Sequence, residues 1–129
     1  MRQRFLYVLL LVCMVLTVRA QEAPLRLGAE RMEIVTQLLA NKRVGLVVNQ
    51  TSILEQRQAH LLDVLLEEGI DVKKVFAPEH GFRGVEDAGA EVSDSKDQKT
   101  GISIISIYGK NKRPTAEQLS DIDVVVFLA

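Results

Sequence analysis

Cysteine is nearly absent from this chain of 129 residues, with Cys13 the single example. A lone cysteine excludes a disulfide scaffold and any zinc site built on several thiolates. Tryptophan is missing, aromatic residues amount to 5%, and there are three prolines and eight glycines. That composition excludes a collagen-like or low-complexity chain. A formal net charge of -1 leaves no basic field to hold a polyanion, so no nucleic acid partner is expected. Two signatures are missing as well. No G-x-G-x-x-G follows a predicted strand, so a nucleotide phosphate loop is not expected. No G-x-S-x-G elbow is present either. Neither a cofactor nor a resident metal is expected.

What is there divides into two unlike pieces. Met1-Arg2-Gln3-Arg4 is basic, and Phe5 to Val18 is then apolar except for Thr17. Val18-Arg19-Ala20 ends the stretch in the manner of a small-residue cleavage site. This is the layout of a secretory signal peptide over 1–20, and the stretch is short for a membrane span. A lipid anchor at Cys13 is rejected, because Val12 precedes it where a small residue is wanted and the apolar run continues. Cleavage after Ala20 gives an exported chain, secreted or periplasmic, with no cysteine, an acidic excess and no stable membrane anchor.

The remainder, 21–129, alternates. A helix is predicted over Gly28–Asn41, from Met32, Ile34, Val35, Leu38 and Leu39 near helical spacing. Val44–Val48 reads as a buried strand, ended by the polar loop Asn49-Gln50-Thr51-Ser52. A second helix is predicted over Ala59–Glu68, with Gly69 as its C-terminal cap. Val72–Ala77 is a second strand, stopped by Pro78-Glu79-His80-Gly81. A long loop follows to Gly101, then a strand over Ile102–Ile107, a basic turn over Lys110–Arg113, a short helix over Ala116–Leu119 and a strand over Asp121–Phe127. This alternation predicts an α/β fold: a Rossmann-like, mostly parallel sheet with helices on both faces. Ligands of such sheets bind outside the carboxyl ends of the strands.

Three strand exits carry polar residues suited to chemistry. Glu79 beside His80 can do general acid–base work, and the plainer reading is a loop pair bonded to nearby backbone. Asn49 and Thr51 suit a hydroxylated ligand, and suit equally well a cap on the helix that follows. Asp87, Asp94 and Asp97 with Glu79 and His80 suggest an oxygen-rich metal site, against the plainer reading of solvated loop carboxylates. His60, at the start of a helix, reads as structural. Lys110, Lys112 and Arg113 read as a solvated turn rather than an anion site.

The motif wording carries a resemblance. Gly45-Leu46-Val47-Val48-Asn49-Gln50-Thr51 and Phe76-Ala77-Pro78-Glu79-His80-Gly81-Phe82-Arg83-Gly84 resemble the bacterial exo-β-N-acetylmuramidases of the NamZ type, in their N-terminal part. The likeness continues through Ala88-Gly89, Asp97, Thr100-Gly101, Ser106-Ile107-Tyr108-Gly109, Arg113-Pro114-Thr115 and Asp121–Phe127, about residues 28–127. It implies a glycoside hydrolase that releases N-acetylmuramic acid from the non-reducing ends of peptidoglycan fragments. A muramyl saccharide is then the partner, and a second, smaller α/β domain follows the Rossmann-like one. By the same resemblance Glu79 is the catalytic acid, His80 orients or tunes it, and Asn49, Thr51, Arg83 and Tyr108 bind substrate.

One departure stands beside the match. After Asp123–Phe127 the family continues with a carboxylate-bearing Asp-Ile-Gln-Asp-Val-Gly type motif, where this chain has Leu128-Ala129. The expectation is an incomplete Rossmann-like domain over 21–129 that is inactive alone. The competing expectations are a cell-wall sugar-binding module without turnover and a metal-dependent hydrolase.

Overall fold

The computed structural model describes residues 26–78, 82–83, 95–110 and 112–128. The predicted signal peptide, Glu79 and His80 lie outside the described residues, as do Asp87 and Asp94.

The first predicted helix is two elements. Gly28–Glu30 is one turn of 3-10 helix, and α1 runs over Met32–Leu39. Arg31, at φ -86° and ψ 62°, interrupts the helical backbone between them. α1 buries Met32 and Leu39, two turns apart, and leaves Leu38 exposed. Asn41, at φ 57°, then turns the chain through the left-handed region toward the sheet, a conformation Asn tolerates better than most residues.

β1 (Val44–Val48) follows, and then a hairpin that short-range patterning did not reveal: β2 (Ile53–Leu54) against β3 (Ala59–His60). The second helix therefore starts later than predicted, as α2 over Leu61–Glu67. Its N-cap is His60, whose ring accepts a hydrogen bond from the Leu62 N–H. At its C-terminal end Gly69 takes φ 76°, the Ile70 N–H reaches the Leu65 carbonyl and the Gly69 N–H the Leu66 carbonyl. This is the predicted glycine cap, a Schellman-type closure.

β4 (Val72–Ala77), β6 (Ser103–Ser106) and β7 (Val124–Leu128) complete the parallel part of the sheet. The predicted long loop contains β5, Ser95–Lys96, paired antiparallel with β6. α3 (Ala116–Leu119) opens at Thr115 with a capping box closed by Gln118. Strand order is β5-β6-β4-β1-β7. In chain order the parallel strands thus read third, second, first, fourth, the doubly wound arrangement with its switch point between β1 and β7.

One face of the sheet is covered, and the other carries only the short α3 and leaves Val125 and Phe127 exposed. Val44, Leu46, Val48, Val75, Ala77 and Ile104 join Met32, Leu39, Leu61, Leu62, Val64 and Leu65 in one core under α1 and α2. On the other face, Lys74 Nζ donates to the Gln118 carbonyl of α3. There a Cβ built on Gly45 would come within 2.7 Å of Ile122 Cδ1 and 3.2 Å of Phe76 Cε2. Asp123 ties the start of β7 to the start of β1: its Oδ1 accepts from Arg43 Nη2 at 2.7 Å and its Oδ2 from the Arg43 backbone N–H at 2.9 Å. A mostly parallel α/β sheet is thus the architecture the alternation predicts, with two helices packed on one face and only the four-residue α3 on the other.

Candidate active site

Parallel strands deliver their following residues to one edge, and here the register is explicit. Val47 pairs with Phe76, and Phe76 with Ile105. Asn49, Pro78 and Ile107 therefore leave β1, β4 and β6 side by side, with β4 in the middle. The Ile107 N–H donates to the Ala77 carbonyl at 2.9 Å, extending the ladder past the end of β6. Tyr108 follows, its N–H donating to Ser106 Oγ at 3.3 Å, and Gly109 turns away at φ 75°. Pro78 is the last described residue before Glu79, so the chain enters the Glu79-His80 segment from between the strands that lead to Asn49 and Tyr108.

The exit of β1 is a tightly bonded turn. Asn49 Oδ1 accepts from the Thr51 backbone N–H at 3.0 Å and from Thr51 Oγ1 at 2.8 Å, an Asx turn. Neither residue caps the following helix, since His60 holds that position; this corrects the capping expectation for Asn49 and Thr51. Asn49 Nδ2 has no hydrogen bond among the described residues. The neighbouring Gln50 Oε1 is buried with no hydrogen-bond partner among the described residues. Gln50 was not singled out from the sequence, and only its position inside the Asn49-Gln50-Thr51 run signals it. Ser52, 2% exposed, closes the turn across the switch point: its Oγ accepts from the Asn49 N–H and donates to the Leu128 carbonyl of β7.

Behind this edge lies an ionic network that the sequence did not reveal. Arg83 Nε and Nη2 donate to the two carboxylate oxygens of Asp97 at 2.7 and 2.9 Å. Its Nη2 and Nη1 also reach Asp63 of α2, at 3.0 and 3.4 Å. Lys99 Nζ adds a bond to Asp63 at 2.8 Å. Thr100 donates to Asp97 from both its backbone N–H, at 3.1 Å, and its hydroxyl, at 2.7 Å. Asp63 and Asp97 are buried. The Arg83 hydrogen bonds outweigh desolvation and hold the Asp97 carboxyl down at about 2. Burial would raise Asp63, but Arg83 and Lys99 overcome it and hold that carboxyl below its ordinary value. The same bonds push the Arg83 guanidinium up. Asp97 is thus no solvated loop carboxylate.

His60 and Phe82 complete the cluster. The two rings meet edge-on at 4.6 Å, and the Arg83 guanidinium stacks 4.7 Å from the Phe82 ring centre. His60 Nδ1 accepts from the Leu62 N–H at 3.2 Å, so its Nε2 carries the proton and donates to the Asn49 carbonyl at 2.8 Å. Burial, more than any neighbouring charge, pushes His60 down and keeps it neutral. The structural reading of His60 holds.

The basic turn is exposed. Lys110, Lys112 and Arg113 line an open groove with Pro114, Thr115, Ala116 and Leu119. Among the described residues no group of three His, Cys, Asp or Glu side chains is placed to hold a metal ion. No helix there is long and apolar enough to cross a membrane.

Comparison with known proteins gives four likenesses. Residues 44–128 match the family described as exo-β-N-acetylmuramidase NamZ, N-terminal. The chain is 40% identical over 90 residues to the peptidoglycan β-N-acetylmuramidase NamZ of Bacillus subtilis strain 168, an alignment covering 69% of this chain and 22% of that protein. Two crystal structures of DUF1343 family proteins from Bacteroides fragilis superpose on it. One has TM-score 0.62 and 33% identity, covering 78% of this chain and 24% of that one. The other has TM-score 0.63 and 36% identity, covering 74% and 23%. The chain thus spans under a quarter of the length of each of these relatives.

Proposed function

This chain belongs to the exo-β-N-acetylmuramidase NamZ family, in its N-terminal part, and on that premise we propose that it carries the sheet edge on which a peptidoglycan β-N-acetylmuramidase holds its muramyl saccharide. The observation that supports this most is the side-by-side exit of Asn49, Pro78 and Ile107 from three adjacent parallel strands. Glu79 follows Pro78 directly and is the proposed catalytic acid, protonating the glycosidic oxygen as the bond to the sugar breaks. His80 orients it. Asn49, through its Nδ2, and Tyr108 contact the sugar, with Thr51 setting the Asn49 side chain. Gln50 offers an acceptor beside them. Export through the basic and apolar first 20 residues brings the protein to its cell-wall substrate.

Glycoside hydrolysis ordinarily uses two carboxyl groups flanking the bond. Asp63 and Asp97, the buried carboxylates nearest this edge in the network, are already paired with Arg83. Neither is free to act as base or nucleophile, and Asp97 is likewise withdrawn from a metal-dependent scheme. A second reading, to which the pairing of these two carboxylates is equally suited, is a sugar-binding module without turnover. Release of N-acetylmuramic acid from a chromogenic muramide separates the two. The acid role of Glu79 requires that Glu79→Gln abolish whatever turnover the chain shows; equal turnover in the variant overturns it.

A further inference from the structure

We propose that His60 and Ser52 are positioning residues: beyond capping α2 and closing a turn, they fix the backbone of Asn49 so that its side-chain amide is held in one orientation before the sugar arrives. This rests on the reading of Asn49 as a sugar contact.

The argument begins with the hydrogen bonds of Asn49. Its N–H donates to Ser52 Oγ at 3.1 Å. Its carbonyl accepts twice, from the Ser52 N–H at 3.1 Å and from His60 Nε2 at 2.8 Å. Its Oδ1 also accepts twice, from the Thr51 N–H at 3.0 Å and the Thr51 hydroxyl at 2.8 Å. A backbone N–H only donates, so the atom facing Thr51 is the oxygen, and the planar amide leaves Nδ2 pointing away from it. Nδ2 is then the one polar atom of Asn49 without a hydrogen bond among the described residues.

The braces come from two elements. His60 is the N-cap of α2, and its Nδ1 accepts from the Leu62 N–H at 3.2 Å, so the ring is a strut between the helix end and the Asn49 carbonyl. The Leu61 N–H adds a tie to the Ser52 carbonyl at 2.9 Å. Ser52 Oγ donates onward to the Leu128 carbonyl of β7. Asn49 is thus braced against both α2 and β7 at the switch point. Capping the helix uses only Nδ1 of His60, and closing the turn uses only the Ser52 N–H. The bond from Nε2 is needed for neither. What it adds is direction, and a donor already held in place loses little freedom when a ligand binds. The His60 ring is itself fixed, 5% exposed and edge-on to Phe82.

The test uses the full chain with His60→Phe, Ser52→Ala and Asn49→Ala, and the double variant of the first with the third. One readout is the 15N heteronuclear NOE of the Asn49 side-chain amide, with the exposed Asn41 as the mobile reference and the backbone amides of β1 and β4 as controls for folding. The other is binding of N-acetylmuramic acid. His60→Phe and Ser52→Ala should lower the Asn49 NOE toward that of Asn41 with β1 and β4 unchanged. Each should weaken sugar binding about threefold to tenfold, the effect of one neutral hydrogen bond. In the Asn49→Ala background His60→Phe should weaken it no further. An unchanged Asn49 amide in both variants overturns the proposal, as does equal weakening by His60→Phe with and without the Asn49 side chain. If His60→Phe unfolds, so that the β1 and β4 signals collapse, Ser52→Ala carries both readouts. Binding by Asn49→Ala as tight as the parent's, or none by the parent, sinks the sugar-contact reading instead, and the order of the Asn49 amide alone then decides whether His60 and Ser52 position it.

Discussion

Asp97 accepts both prongs of the Arg83 fork although fourteen residues separate them, and this pair joins the chain beyond β4 to the turn between β5 and β6. It has consequences for stability as well as for the site. Asp97→Asn should destabilise the fold by about 3 kcal/mol, the low end for breaking a buried pair, because Arg83 is 30% exposed and keeps Asp63. Urea denaturation of parent and variant measures it.

The same pair gives an acid limb to stability. An unfolded Asp titrates near 3.9, and in the fold Asp97 is held down at about 2. Its contribution is therefore complete above about pH 4 and is lost as the pH falls from there toward 2. Asp97→Asn should flatten that limb in denaturation midpoints taken across this window.

His60 governs a separate step at higher pH. Its folded pKa is lowered, so the unfolded chain takes up a proton first, beginning near the ordinary imidazole value of about 6.5. Stability present above that pH should decline as the pH falls through it. His60→Gln should remove this pH dependence. It should also cost roughly 1–3 kcal/mol at neutral pH, by leaving the buried Leu62 N–H or Asn49 carbonyl unsatisfied.

Gly45 is required by packing. Its φ needs no glycine, but Ile122 and Phe76 occupy the space a side chain would fill. Gly45→Val should overpack the α3 face and destabilise by about 1–3 kcal/mol, while Gly45→Ala should cost less because the Ile122 tip can swing aside. Thermal melting of both variants gives the order.

The sheet was legible because its strands are continuous apolar runs and its punctuation is strong: Gly69 and the Thr115–Gln118 box stand where the caps fall. The β2–β3 hairpin was not legible. Two residues per strand give no period, and the placement of Ala59 and His60 depends on pairing with Ile53 and Leu54. β5 escaped for the same reason. At the site, the shared edge of Asn49, Pro78 and Ile107 followed from the alternation of elements. The pairing of Arg83 with Asp63 and Asp97 did not, because long-range ionic contacts leave no local pattern. Only the fold brings α2 against the β5–β6 turn.

The most direct test of the proposed sugar edge is a 15N-detected titration of the full chain with N-acetylmuramic acid. The account predicts shift changes concentrated at Asn49–Ser52, Glu79–Arg83 and Ile107–Gly109, reduced in Asn49→Ala and with the opposite edge at Asn41–Arg43 and Gly69–Asp71 unmoved. Changes confined to that opposite edge, or none at millimolar sugar, would contradict it.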